Sequence, residues 1–223
     1  MMHANVVVVA SPGRLPRIEA RDGLAGRCTG PDTVHLISTA ATPLGGDTLT
    51  VRLVVEAGAR LRIRTAAATM VLPGARTLQS AAQWELEVAG QLDLDPQPTV
   101  VAGGSVHHTT TRLRLAEPAQ VRIRERVQIG RSDEQDGFWS SSLHADVDSV
   151  EGSWPLLRHR IELGRGAVGD DVLAAPRACI SELRYPAPSF EAHGTVLELA
   201  RGGSLATWQG DRLPPQTAEG AEA

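Results

Sequence analysis

Lysine is absent from this 223-residue sequence, and all 22 basic side chains are arginine. Arginine stays protonated in proteins, so the chain offers neither a Schiff-base amine nor a lysine general base. The phosphate loop G-x-x-x-x-G-K-[ST] is excluded for the same reason, and nucleotide hydrolysis through that motif would have to sit in a partner. High-GC codon bias accounts for such a composition, yet the chemical exclusion holds whatever its origin. Cysteine is nearly as scarce. Cys28 and Cys179 are the only two and form no C-x-x-C pair, which fits a reducing compartment while leaving one disulfide open. Aromatic residues make up 3%, so the core must be built mainly from Val, Leu, Ile and Ala. Long apolar runs are missing: Val6–Ala10 is far too short to span a bilayer and lacks the basic flank of a secretory signal. A basic excess is missing as well. The net charge of -4 and pI near 6.0 argue against a nucleic-acid partner. These absences together predict a cytoplasmic chain with no nucleic-acid or membrane partner.

What is present is period-2 alternation. Leu49, Val51, Leu53 and Val55 share one strand face opposite Thr48, Thr50 and Arg52. Leu61 and Ile63 alternate with arginines, as do Leu113 with Leu115 and Val121 with Ile123. Each segment reads as a half-buried strand with an arginine-rich outer face. A repeat underlies the pattern: Arg52–Thr65 (RLVVEAGARLRIRT) aligns without a gap on Arg112–Glu125 (RLRLAEPAQVRIRE), and Glu85–Asp95 (ELEVAGQLDLD) lies between them. Gly58, Gly90 and Pro118 mark turns about 30 residues apart, a period typical of stacked units. Further strand–turn–strand segments centre on Gly152 and Gly202. The expected fold is all-β: stacked antiparallel hairpins in a β-solenoid-like or wrapped two-sheet layer, with at most one or two short helices. An ordinary sandwich is the competing architecture. The one stretch where a helical stripe can be traced is Arg76–Glu85. A single β-rich domain is expected over 1–208, with a disordered tail over 209–223, where Pro214, Pro215 and small polar residues gather.

Several motifs invite chemical readings. Gly164–Gly169 fits G-x-G-x-x-G, but a dinucleotide site needs a helix directly after it, and Asp170, Asp171 and Pro176 follow instead. A loop is the better reading. His107 and His108 suit nickel by ligand type, yet adjacent strand residues face opposite ways and cannot chelate one ion together. Either could join a ligand from elsewhere, such as His144 or His159, but two polar strand positions are the plainer reading, with no catalytic role for either. Asp146 and Asp148 share a strand face and could act as acid and base or attract a cation, although a solvated face is the better reading. Glu125 stands apart. Alternation puts it on the same face as Val121 and Ile123, where a carboxylate must be paired, neutralised or functional, unless the strand has already emerged into solvent.

Taken in order, these segments resemble the urease accessory protein D family. Pro43–Asp47 (PLGGD) looks like that family's P-x-G-G-D turn, and Thr65–Thr69 like its threonine–alanine segment. Asp95–Val100 is similar to its Pro-x-Pro stretch, Glu125–Arg131 to its E-x-x-x-x-G-R signature, and Gly152 with Pro155, Leu156, Leu157 and Arg160 to its G-x-P-L…R hairpin. The resemblance runs from about Thr33 to Leu163. Met70 departs from it where many members carry lysine, and Leu94 and Asp95 replace the usual aromatics. The resemblance implies a non-catalytic scaffold for nickel incorporation into urease, working on urease apoprotein with accessory proteins F and G, the latter supplying the GTPase. It implies no tightly bound cofactor, only a nickel ion in transit. By matching position, Asp47 and Glu125 are candidate passage-lining or structurally paired carboxylates, Thr65 and Thr69 candidate polar linings, and Arg131 a candidate ion-pair partner. His107 and His108 remain the only metal candidates. A β-solenoid binding module or a β-rich hydrolase unrelated to urease is the alternative.

Overall fold

The computed structural model describes residues 1–168 and 176–215, among which there is no helix. The chain opens with β1 (His3–Ala10), β2 (Arg17–Arg21), β3 (Leu24–Cys28) and β4 (Thr33–Ser38). The middle holds β5 (Thr48–Val55), β6 (Arg60–Thr65), β7 (Thr69–Val71), β8 (Gln79–Val88) and β9 (Gln91–Leu94). It continues with β10 (Thr99–Val101), β11 (Ser105–Ala116) and β12 (Gln120–Ile129). The last part comprises β13 (Gly137–Ser149), β14 (Gly152–Gly164), β15 (Ala178–Tyr185), β16 (Thr195–Glu198) and β17 (Ser204–Gly210). A first sheet runs β14-β13-β11-β8-β5-β1-β2; a second runs β16-β17-β15-β12-β9-β6-β4-β3, with β10 and β7 attached beside β12.

The repeated units are arches, and this is where the expected hairpins need correction. In each of β5–β6, β8–β9 and β11–β12 the first strand joins the first sheet and the second strand joins the other. Hydrogen bonds run between successive units, in parallel. Apolar side chains therefore stack in rungs: Leu53, Leu86 and Leu113 on one sheet, Leu61, Leu92 and Val121 on the other, all buried. Burying each such side chain is worth roughly 1.5–3 kcal/mol, and a lone arch could not achieve it. The stacking also explains Gly90. A Cβ there would lie 2.3 Å from the Ala59 carbonyl oxygen and 2.5 Å from that of Glu56, so the turns close-pack only because a side chain is missing. Only at Gly152 and Gly202 do the strand–turn–strand segments form antiparallel pairs, β13–β14 and β16–β17.

Arg76–Glu85, where a helical stripe was traced, contributes instead to β8, whose inward positions run Ser80, Ala82, Trp84, Leu86, Val88. The small residues at the start of that face hide its period of two. Gln209 and Gly210 belong to β17, and the Leu213 N–H donates to Gln128 Oε1 at 2.9 Å, so the chain stays anchored past 209. Residues 216–223 of the expected tail lie outside the described residues. Both cysteines are free thiols, Cys28 exposed and Cys179 buried.

One irregularity positions the site. β6 gives way to β7 across residues 66–68, and β9 to β10 across residues 95–98, while β12 runs unbroken past both gaps. β9 pairs with Gln120–Ile123 and β10 with Val127–Ile129. Arg124, Glu125 and Arg126 thus border an opening in the second sheet.

Candidate functional site

The interior is not uniformly apolar. A large core built from the rungs fills one end of the sandwich, and a smaller cluster around Val71, Val127, Ile129, Trp139 and Leu163 fills the other. Between them lies a polar band. On the first sheet it is made by Ser80, His107, Thr109, Thr111 and Ser141, all buried; Glu125 and Ser181 face it from the second sheet, on paired positions of β12 and β15. All of these except Ser80 line a void of about 110 Å³ together with Thr65, Thr69, Gln97, Arg124, Arg126 and His159. That is room for several water molecules and far below the roughly 300–1,000 Å³ typical of sites for organic ligands. Lining residues from both faces of β12 show that the void reaches the opening in the sheet.

Glu125 occupies the inner face of β12, as alternation requires. Ser141 Oγ donates to its Oε2 at 2.9 Å, and the Thr109 hydroxyl also bonds it. Thr109 Oγ1 in turn accepts from Trp139 Nε1 at 3.2 Å, which turns its proton toward the carboxylate. Burial pushes the Glu125 carboxyl up to about 7, and the two hydroxyls only partly offset this. Near neutrality it exists in both forms. As a carboxylate it is a hard oxygen donor on a narrow, polar-lined void.

His107 lies on the same void, 2% exposed, with Nδ1 2.8 Å from Ser80 Oγ. Burial, reinforced by repulsion from His108, pushes it down to about 4, so it is a neutral imidazole at physiological pH, the form that binds metal. His108 faces away, with Nδ1 2.7 Å from Ser140 Oγ and its ring edge-on to Phe138. Burial likewise lowers His159. Among the described residues, no three or more His, Cys, Asp or Glu side chains gather closely enough to hold a metal ion.

The other sequence candidates fall in different places. Thr65 Oγ1 accepts the Gln97 N–H at 2.9 Å and donates to the Ala67 carbonyl at 2.9 Å, tying both interrupting loops to the rim of the opening. Thr69 lines the same void. Asp47 does not border it. Its carboxylate clamps the turn before β5, accepting from Met2 N (2.8 Å), Leu44 N (3.0 Å) and Thr42 Oγ1 (3.2 Å). Arg131 pairs with Glu134 in a surface turn. Asp146 bonds Arg158 on the outer face of β13, and Asp148 is exposed beside it. Arg165–Val168 are turn residues after β14; Gly169 of that motif lies outside the described residues.

Sequence reasoning missed Ser80, Thr109 and Ser141. The signal was present: on β11 the inward positions read Ser105, His107, Thr109, Thr111 before reaching Leu113, polar where a core strand should be apolar.

On the outer face of β12, Arg122, Arg124 and Arg126 meet Arg64 and Arg184 over Asp93, Asp95 and Glu182. Glu182 is 3% exposed yet held below its usual range; burial opposes this, and the Arg122 and Arg184 hydrogen bonds outweigh it. This lattice ties β12 to β15 and β9 and fixes the strand that carries Glu125.

The profile of the UreD urease accessory protein family matches residues 24–210. Urease accessory protein UreD 1 of Saccharopolyspora erythraea is 38% identical over 196 residues, covering 84% of this chain and 75% of that protein. Urease accessory protein UreD of Frankia alni is 38% identical over 218 residues, 88% of this chain and 73% of its own length. That of Streptomyces avermitilis is 35% identical over 187 residues, 79% and 72% respectively. The family match spans the arches, the interrupted sheet and both carboxylates, and the chain belongs to the UreD urease accessory protein family.

Proposed function

We propose that this chain is a non-catalytic cytoplasmic scaffold for nickel incorporation into the urease active site, acting on urease apoprotein with accessory proteins F and G. Accessory protein G supplies the GTPase, in keeping with a lysine-free chain that cannot form the phosphate loop. Nickel is cargo here, and no tightly bound cofactor is needed. The observation that carries this reading is Glu125: a carboxylate set between two apolar clusters, on a void too narrow for an organic substrate but wide enough for an ion with part of its water shell. Glu125 and neutral His107 offer one oxygen and one nitrogen donor. Two donors favour brief residence over capture, which suits transfer better than storage.

The experiment is co-expression of urease with the accessory set, this chain being wild type, Glu125→Ala, or omitted. Omission should leave urease subunits abundant but nickel-poor. Glu125→Ala should lower nickel per urease several-fold while the accessory complex still co-purifies. Full nickel loading in both cases would defeat the proposal.

A further inference from the structure

We propose that the arginine-rimmed groove on the outer face of the second sheet, across β6, β9, β12 and β15, docks an extended acidic segment of a partner protein. The groove has a volume of about 330 Å³ and shares no lining residue with the void at Glu125, so the proposal does not depend on nickel moving through that void. The alternation of β6 builds one wall. Arg60 and Arg62 alternate with buried Leu61 and Ile63, so both stand outward and are exposed. Arg62, Asp93, Arg122 and Arg184 are successive partners across the four strands, which sets Arg62 and Arg184 three strand spacings apart, about 14 Å. Pro186 and Ala187 make the far wall. The Gly203 N–H donates to the Pro186 carbonyl at 3.1 Å, and Ser204 Oγ donates to the Ala187 carbonyl at 2.8 Å.

The donors at the rim are open. Arg60 uses only Nε, on Gln91 at 3.0 Å. Arg62 is 46% exposed in its side chain, and its one carboxylate neighbour, Asp32, stays 3.8 Å from Nε, beyond hydrogen-bond reach. Each fork can therefore take a carboxylate bidentately. Arg184 gives Nε to Glu182 at 2.6 Å and lies over the Phe190 ring, and its two terminal nitrogens make no hydrogen bond among the described residues. Arg122 alone is fully engaged, by Glu182, Asp93 and Asp95. The lining thus sets four arginines against one carboxylate, Asp93, which is itself shared by Arg64 and Arg122. This cationic strip lies on a chain whose net charge is -4, and charge complementarity selects an acidic occupant. The spread of the open forks selects an extended one. A compact anion reaches one wall, whereas a strand rising about 3.4 Å per residue crosses from Arg62 to Arg184 in about four residues. Acidic residues at every second position of such a strand all face the arginines.

The test titrates the purified full chain with a capped, fluorescently labelled peptide in which glutamate alternates with alanine, and with its glutamine counterpart. Saturable binding of the glutamate peptide is expected, about tenfold tighter than that of the glutamine peptide. Arg60→Gln combined with Arg62→Gln should weaken it about tenfold, whereas Arg52→Gln, on the outer face of the first sheet beside Glu87, should leave it unchanged. If the double variant does not fold, Arg60→Gln alone gives up only the bond to Gln91 and should still weaken binding about threefold. No saturable binding in the wild type, or equal binding by the Arg60 and Arg62 variants, overturns the site. Equal or tighter binding of pyrophosphate or of a short single-stranded oligonucleotide overturns the acidic peptide as its occupant.

Discussion

Asp47 and Glu125 are both carboxylates inside one sandwich, and their surroundings drive them in opposite directions. At Asp47 burial raises the pKa, but the N–H groups of Leu44 and Met2 and the Thr42 hydroxyl outweigh it, and the group ends below its usual value. At Glu125 burial wins over two hydroxyls and the group rises to about 7. Backbone N–H groups can only donate, and fixed by the turn they demand an anion. Hydroxyls donate or accept and tolerate either form. The first carboxylate is thus committed to structure, and the second is left adjustable.

The largest effect expected from breaking this contrast is at Asp47. Asp47→Ala strands two N–H groups and a hydroxyl near the chain start, and should lower unfolding free energy by about 2–4 kcal/mol, read by urea denaturation. A change below about 0.5 kcal/mol would show the clamp to be dispensable. Next comes the pH dependence. The folded pKa of Glu125 exceeds its unfolded value near 4.5, so the stability linked to its proton is present below pH 4.5 and is lost as pH rises through about 7. Wild type should lose on the order of 1–3 kcal/mol across that window, and Glu125→Gln should flatten the loss. Asp47 works the other way: its contribution is present above its unfolded value near 3.8 and fades as pH falls below it. Acid denaturation of Asp47→Asn should therefore be shallower than wild type only on the acid side. The smallest effect is at Ser141→Ala, which removes one hydrogen bond from the charged form of Glu125. The midpoint of the neutral-range transition should move upward by a fraction of a pH unit, measured by carboxyl-selective ¹³C NMR; a downward move would mean that Ser141 favours the acid form.

Much of the fold was legible because the repeat and the period of two report the same physics. Leu53 aligns with Leu113 in sequence since both occupy the same rung position two units apart. What alternation cannot disclose is the partner of each strand. A turn at Gly58, where the chain crosses between sheets, and a turn at Gly202, where it folds back on itself, look alike in sequence, since both only require a glycine at positive φ (77° and 84°). Hence the expected hairpins proved to be arches in the middle and true pairs at the end. For the site, Glu125 stood out as a charge on an apolar face. Its companions did not, because threonine and serine are common strand residues and only their run along the inward side of β11 betrays a polar interior. Asp47 and Arg131 looked equivalent to Glu125 as motif positions, although one clamps a turn and the other lies on the surface.

The interrupted sheet has a consequence for how such an opening can change. β12 spans the gap like a lintel, with its register pinned on both sides, by β9 at one end and β10 at the other. Extra residues inserted at 66–68 or 95–98 would enlarge the aperture without slipping any neighbouring strand. Width can therefore drift among related chains by loop length alone, while the posts and the beam above them stay where the arches set them.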